Sequence, residues 1–223
     1  MYCHILTGKD WALKIVFLES VDSTQTYLKN LLKTKKVSSP YGVVAKTQTA
    51  GLGSRNNKWT GLEGNLFLSF SIKVEDLPSD LKLESASIYF SYLLKESLES
   101  FGSKVWLKWP NDFYIDKLKI GGMITNLVGD DLICGVGLNL INNPEEFASL
   151  DIKISIEELL NSYFTNIEKK VLWKQVFSKY KLEFYLNQRF FTHKNNLKIS
   201  LGEAELQSDG SIISNGERMY SLR

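Results

Sequence analysis

The chain has 223 residues, 43% hydrophobic, 12% aromatic and 23% charged, enough for one substantial core with a small appendage and unlike a disordered or fibrous chain. Twenty-seven Lys and Arg against 25 Asp and Glu leave a formal charge of +2, too balanced for a bulk nucleic-acid binder though compatible with a local basic patch. Only two histidines (His4, His193) and two cysteines (Cys3, Cys134) are present, which disfavours a Ser-His-Asp triad and a zinc cage and leaves the chemistry to Lys, Arg, Asp, Asn and backbone amides.

In chain order, Met1 to Asp10 is mixed in character and carries no signal-peptide pattern. Leu13–Leu18 reads as a strand, and Asp22 or Ser23 can cap a helix whose stripe is Tyr27, Leu28, Leu31 and Leu32. Tyr41–Lys46 is a second strand. Thr47–Glu63, with its glycines and asparagines, reads as a long loop, and Asn65–Ile72 alternates as a strand with Leu66, Leu68 and Phe70 on one side. Ala86, Phe90, Leu93, Leu94, Leu98 and Phe101 fall on one helical face. Lys104–Trp109 (ended by Pro110), Phe113–Ile115, Leu118–Val128 and Leu132–Leu138 read as successive antiparallel strands. Ser155-x-x-Glu158 is a capping box, and a longer helix is expected over about 171–190. From Leu197 short strands are punctuated by Asp209-Gly210 and Asn215-Gly216. The order predicts an α+β fold with a mixed or antiparallel sheet, divided into residues 1–190 and a small β element over 191–223 that must lean on the main body. No apolar run approaches the roughly 18 residues that cross a bilayer, and the cysteine pattern suits a reducing cytoplasm.

Four segments are candidates for chemistry. Lys46 to Trp59 holds Lys46, Arg55 and Lys58 around Gly51 and Gly53, whose backbone amides suit an anion; a solvated, turn-rich loop accounts for the same residues. Lys108-Trp109-Pro110-Asn111-Asp112 is followed by Lys119, Gly121 and Gly122, which brings an ammonium, a carboxylate and an amide onto adjacent strands; alternation sets Lys119 with Gly121 on a concave face, and the alternative is an exposed edge strand with a bulge. Gly135-Val136-Gly137-Leu138-Asn139 fits a site or a structural bulge, and a helix cap alone explains Asp22-Ser23-Thr24-Gln25.

Read together, these segments resemble the biotin protein ligases. Ser23-Thr24-Gln25 looks like the family's Ser-Thr-Asn, Gln48 with Gly51-Leu52-Gly53 through Lys58-Trp59 like its Gln and Gly-Arg-Gly stretch, and Gly64-Asn65-Leu66-Phe67-Leu68-Ser69 like its Gly-x-Asn-Leu-x-x-Ser strand. Lys-Trp-Pro-Asn-Asp is intact at 108–112, Lys119-Ile120-Gly121-Gly122-Met123 follows, and Gly135 to Asn139 matches Gly-x-Gly-x-Asn. The resemblance covers about 15–143.

It implies a class II aminoacyl-tRNA synthetase-like sheet flanked by helices, with a shortened C-terminal β element. The implied reaction uses ATP and Mg²⁺ to convert biotin to biotinyl-5′-adenylate, then biotinylates a lysine of the biotin carboxyl carrier protein of acetyl-CoA carboxylase. By that resemblance Lys119, Asp112 and Arg55 are catalytic. Ser23, Thr24, Gln25, Gln48, Leu52, Gly53, Ser54, Lys119, Gly121 and Gly122 bind biotin. Arg55, Asn57, Lys58, Trp59, Asn111 and Asn139 bind ATP, with magnesium carried by the nucleotide instead of a side-chain cage. Leu52 stands where the family has Arg, Arg55 is expected to compensate, and Gln25 stands for Asn. No DNA or membrane partner is expected, since no winged-helix pattern precedes residue 13, and a homodimer is left open. Lipoate- or octanoate-type ligases are the enzyme alternative, and a non-catalytic nucleotide binder using Arg55, Lys58, Trp59 and Trp109 is the alternative of a different class.

Overall fold

A computed structural model describes residues 2–7, 12–53, 58–144, 147–194 and 197–221. The chain opens with β1 (Tyr2–Thr7), which the mixed sequence there did not announce; it is the edge strand, antiparallel to β2 (Ala12–Val21), and only pairing distinguishes it from a coil. Of the two candidate caps, Ser23 starts helix α1 (Thr24–Lys33): its backbone is extended and its Oγ accepts the Thr26 N–H at 3.4 Å. The helix is the crossover that makes β2 and β3 (Tyr41–Leu52) parallel.

Residues 47–63 are not one long loop. β3 runs on to Leu52 and pairs antiparallel with β4 (Lys58–Gly61) through an irregularity between Gln48 and Gly51. The polar, glycine-rich composition hid this hairpin because its stability comes from pairing instead of an apolar face. β5 (Leu66–Lys73) follows, then helix α2 (Ala86–Ser100). Phe101 does not continue the buried stripe of α2; it is 43% exposed, because the helix ends there in a left-handed Gly102, with the amides of Gly102 and Ser103 bonded back to Glu99 and Leu98. β6 (Trp106–Lys108), β7 (Asp112–Ile115), β8 (Leu118–Val128) and β9 (Asp131–Leu138) are antiparallel in succession.

Helix α3 (Ile156–Glu168) opens with the expected capping box at Ser155 and Glu158. The expected helix over 171–190 is instead α4 (Trp173–Glu183) followed by a tighter 3-10 segment, Phe184–Arg189. Its start is set by Asp80, whose carboxylate accepts the amides of Trp173 at 2.8 Å and Lys174 at 3.0 Å.

The main sheet has the order β1-β2-β3-β5-β9-β8-β7-β6, with β4 paired to β3. Strand alternation divides its faces. Leu66, Leu68 and Phe70 of β5 and Leu132, Cys134 and Val136 of β9 join the main core with α2 and α3. On the opposite face α1 packs Leu28 and Leu32 onto Val16, Val43 and Ile133. Further along that face the strands carry Ser69, Gly135 and Gly137, so the sheet is left open beside the start of α1.

The C-terminal segment forms two small sheets, one of β10 (Phe191–Lys194) and β11 (Leu197–Ser200), the other of β12 (Glu205–Leu206), β13 (Ile212–Ser214) and β14 (Glu217–Met219). Gly210 and the Asn215-Gly216 pair have positive φ, as the turn motifs predict. Leu201, Ile212 and Met219 enter the main core, and the indoles of Trp109 and Trp173 donate to the carbonyls of Gly210 and Ser208 at 2.8 Å.

Candidate active-site cleft

The opening in the sheet face is a cleft with about 490 Å³ of empty space, open solvent included. One wall is the start of α1 with Gln48 of β3, the floor is Ser69, Gly135 and Gly137, and the far wall is Asp112, Lys119 and Gly122 to Ile124. Leu52, Gly53 and Trp59 border it from the β3–β4 hairpin.

The wall at α1 is a hydrogen-bonded network. Gln48 Oε1 accepts from the Thr24 amide at 2.8 Å and from Thr24 Oγ1 at 3.2 Å, and Thr24 Oγ1 lies 2.9 Å from Ser69 Oγ. Ser69 Oγ donates to Gln25 Oε1 at 2.9 Å, and Gln25 Nε2 donates to Asn126 Oδ1 at 3.1 Å. Gln25 fits only because Gly135 has no side chain: a Cβ there would collide with Gln25 Oε1. Thr24, Gln25 and Ser69 are buried, so their amide and hydroxyl dipoles are fixed before any ligand arrives.

On the far wall Lys119 Nζ meets Asp112 Oδ1 at 2.7 Å, and Lys108 Nζ lies 3.7 Å from Asp112 Oδ2. An irregularity in the β7–β8 pairing sets Gly122, not Gly121 as simple alternation predicts, beside this pair. A Cβ on Gly122 would stand 3.1 Å from Asp112 Oδ1 and 3.6 Å from Lys119 Nζ. Gly121 instead faces Gly137 O and Leu138 and lies outside the cleft lining. Burial, reinforced by the Asp112 charge, pushes the Tyr114 hydroxyl up to about 12, so it stays neutral beside these ions.

Trp59 lies across Gly137, with the ring of Phe147 edge-on at 6.3 Å. Its Nε1 is buried and has no hydrogen-bond partner among the described residues, an orphan donor at the border of the cleft.

The cleft therefore brings together Ser23, Thr24, Gln25, Gln48, Leu52, Gly53, Trp59, Asp112, Lys119 and Gly122. Leu52 is half exposed and offers no charge where the family has Arg. Asn111 and Asn139 are buried outside the lining; their amides donate to the carbonyls of Met123 and Ala148. Ser54, Arg55 and Asn57, and the side chain of Lys58, lie outside the described residues. Gly135 and Gly137, which the sequence offers as a candidate segment without a role, form the floor, while Ser69, Asn126 and Phe147 are not assigned to the site by the sequence. The signal was present in Ser69: a small polar residue at an alternate position of a strand whose flanking residues are apolar.

Among the described residues no three His, Cys, Asp or Glu side chains gather into a metal site. Asp112 is already engaged by two ammonium groups, and the two asparagines are committed to backbone. These side chains do not fit a protein-held magnesium ion.

An α+β mixed sheet with helices on its faces, and a cleft whose walls are an ammonium–carboxylate pair and a fixed amide network, defines the class II aminoacyl-tRNA synthetase-like fold of the biotin protein ligases. The Biotin/lipoate A/B protein ligase family matches residues 17–139. A biotin acetyl coenzyme A carboxylase synthetase from Helicobacter pylori, solved with bound biotinylated ATP, is 38% identical with a TM-score of 0.89 over 92% of this chain and 98% of that one. The biotin protein ligase of Aquifex aeolicus, in complex with biotin and ATP, is 26% identical with a TM-score of 0.75 over 94% and 95%. The bifunctional ligase/repressor BirA of Escherichia coli is 32% identical over 133 residues, which are 56% of this chain and 40% of that protein. The match thus spans less than half the length of the curated relatives. The chain belongs to the Biotin/lipoate A/B protein ligase family, among its biotin protein ligases.

Proposed function

We propose that the chain activates biotin with ATP to biotinyl-5′-adenylate and transfers the biotinyl group to a lysine of the biotin carboxyl carrier protein. The observation that carries this reading is the Lys119–Asp112 pair, set in the gap left by Gly122 opposite the fixed amides of Gln25 and Gln48. The bound molecules named for the Helicobacter pylori and Aquifex aeolicus structures, biotinylated ATP and biotin with ATP, support it.

In the first step a biotin carboxylate oxygen attacks the α-phosphorus, and the bond to the bridging oxygen breaks to release pyrophosphate. No enzyme nucleophile is needed; the protein must align two anions and neutralise the charge that builds up between them. Lys119 does this by exchanging Asp112 for the ligand's oxygens. Ser23, Thr24, Gln25 and Gln48 hold the biotin head, and Trp59 gains an acceptor for its orphan N–H from the adenylate. Arg55 and Asn57, which the sequence places between β3 and β4, and Lys58, the first residue of β4, contact the phosphates in this reading. Asn111 and Asn139 act by holding backbone instead of ligand, and magnesium arrives on the phosphates.

In the second step the carrier lysine, as a neutral amine, attacks the acyl carbon; the bond to AMP breaks, and Asp112 takes the proton the amine sheds. Residues 191–223, whose described strands pair among themselves, are read as the small second unit beside the catalytic body. The cytoplasm is the compartment assigned, where ATP and the carrier meet; among the described residues no helix is long and apolar enough to cross a membrane. One cleft per chain suffices, so a homodimer is compatible with this chemistry.

The test is incubation of the protein with biotin, ATP, Mg²⁺ and a purified carrier domain, followed by intact-mass measurement. The carrier is expected to gain one biotinyl group, and a carrier with its target lysine changed to arginine none. A carrier left unmodified by folded protein overturns the proposal.

A further inference from the structure

Asp112 stands between two ammonium groups, one per oxygen: Lys119 at 2.7 Å on Oδ1 and Lys108 at 3.7 Å on Oδ2. They differ in where they sit. Lys119 borders the cleft, whereas Lys108, on the neighbouring β6, is outside its lining, only 13% exposed, with its ammonium 5.6 Å above the ring of Tyr114. Asp112 is met by Lys108 from β6 and Lys119 from β8, with the neutral Tyr114 of its own strand beside them.

Charge counting gives this arrangement a purpose. Without ligand the three ionised groups carry a net +1, an excess that draws an anion into the cleft. When an anionic ligand occupies Lys119, two carboxylate-type charges face two ammonium groups and the cluster is balanced. Among these three groups, loss of Lys108 would leave two anions facing one ammonium in a half-buried site, which favours the protonated form of Asp112 over the acceptor.

We propose that Lys108 is a positioning residue that takes over as counter-ion of Asp112 when Lys119 turns to the ligand, keeping Asp112 ionised for the transfer step. The proposal rests on the reading that Lys119 engages the ligand's anion. Lys108 touches neither substrate; it acts through Asp112.

The test is titration of the Asp112 carboxyl by carbon NMR in the wild-type, Lys108→Gln and Lys108→Arg proteins, each with and without saturating biotin. In Lys108→Gln the Asp112 midpoint is expected to rise by about one pH unit, and further with biotin than without. Lys108→Arg, which keeps the charge and controls for folding, should stay near the wild-type value. In the same variants the rate of biotin transfer from the adenylate to carrier, relative to biotin-dependent pyrophosphate exchange, should fall about tenfold for Gln and recover for Arg. An Asp112 midpoint unmoved in Lys108→Gln overturns the proposal. If calorimetry shows that the wild-type protein does not bind biotin, the reading of the cleft fails instead, and the ligand-free titration still decides whether Lys108 governs Asp112.

Discussion

Gly137 lies directly beneath the indole of Trp59: a Cβ on Gly137 would come within 2.6 Å of Cε2 and 2.8 Å of Nε1. The contact is matched on the hairpin side, where a Cβ on Gly51 would stand 2.6 Å from Trp59 O. Two glycines on different strands thus let one tryptophan lie flat along the cleft border. The alternating glycines at 135 and 137 are therefore not a tolerated weakness of β9; one admits Gln25 and the other admits Trp59.

Gly137→Ala should displace the indole and spare the fold. Forcing a methyl group into this contact costs about 1–3 kcal/mol of stability. Affinity for biotin with a non-hydrolysable ATP analogue should fall more than about tenfold, which corresponds to 1.4 kcal/mol. Titration calorimetry beside urea unfolding separates the two effects; unchanged affinity would show that Trp59 is not part of the ligand site.

Asn65 organises the segment after β9. Its Oδ1 accepts the amides of Leu140, Ile141 and Asn142 at 3.0, 3.2 and 3.2 Å, while Nδ2 donates to Asn142 O at 2.6 Å. Asn65→Ala strands these partly buried donors and should lower stability by about 3 kcal/mol. Asn65→Asp retains the acceptor and should lose less. Urea unfolding of both variants checks the order, and equal losses would contradict it.

Much of the cleft was legible in the sequence, for identifiable reasons. Lys108 to Asp112 with Lys119 stood out because polar residues bracket a strand break, and Leu66, Leu68 and Phe70 showed which face of β5 is core. What escaped depends on pairing between distant strands. The hairpin of β3 and β4 is written in glycines and polar residues that look like a loop until Gly51 is seen opposite Trp59. The placement of Gly122 beside Lys119 follows from a register shift that alternation cannot anticipate. Asn111 and Asn139, ATP contacts by the family resemblance, are buried, and their amides donate to the backbone carbonyls of Met123 and Ala148, partners that only the distant strand pairing reveals.

The docking of the C-terminal strands should depend on acid. Burial alone would raise the Asp209 carboxyl, but hydrogen bonds from Ser211 and Arg218 hold it below its ordinary value. Its contribution is therefore present above the unfolded carboxyl range, about pH 4, and lost as pH falls through the lower folded value. Trp109 and Trp173 donate to carbonyls next to Asp209, so their fluorescence reports the change. The emission should shift below pH 4 in the wild-type protein. In Asp209→Asn the part of the shift due to this group should be absent, and identical acid transitions in the two proteins would remove Asp209 from the docking contact.

The central claim is that Lys119 serves adenylation of biotin, and the measurement that tests it most directly is exchange of labelled pyrophosphate into ATP by the wild-type and Lys119→Ala proteins, with biotin, lipoate or octanoate as the acid. The account predicts exchange with biotin alone, reduced at least about a hundredfold in Lys119→Ala, as expected for removal of a charge that stabilises the transition state. Circular dichroism should show both proteins folded, since Asp112 keeps Lys108 as a counter-ion. Exchange with lipoate alone would contradict the substrate, and no exchange with any acid, or full activity in Lys119→Ala, would contradict the mechanism.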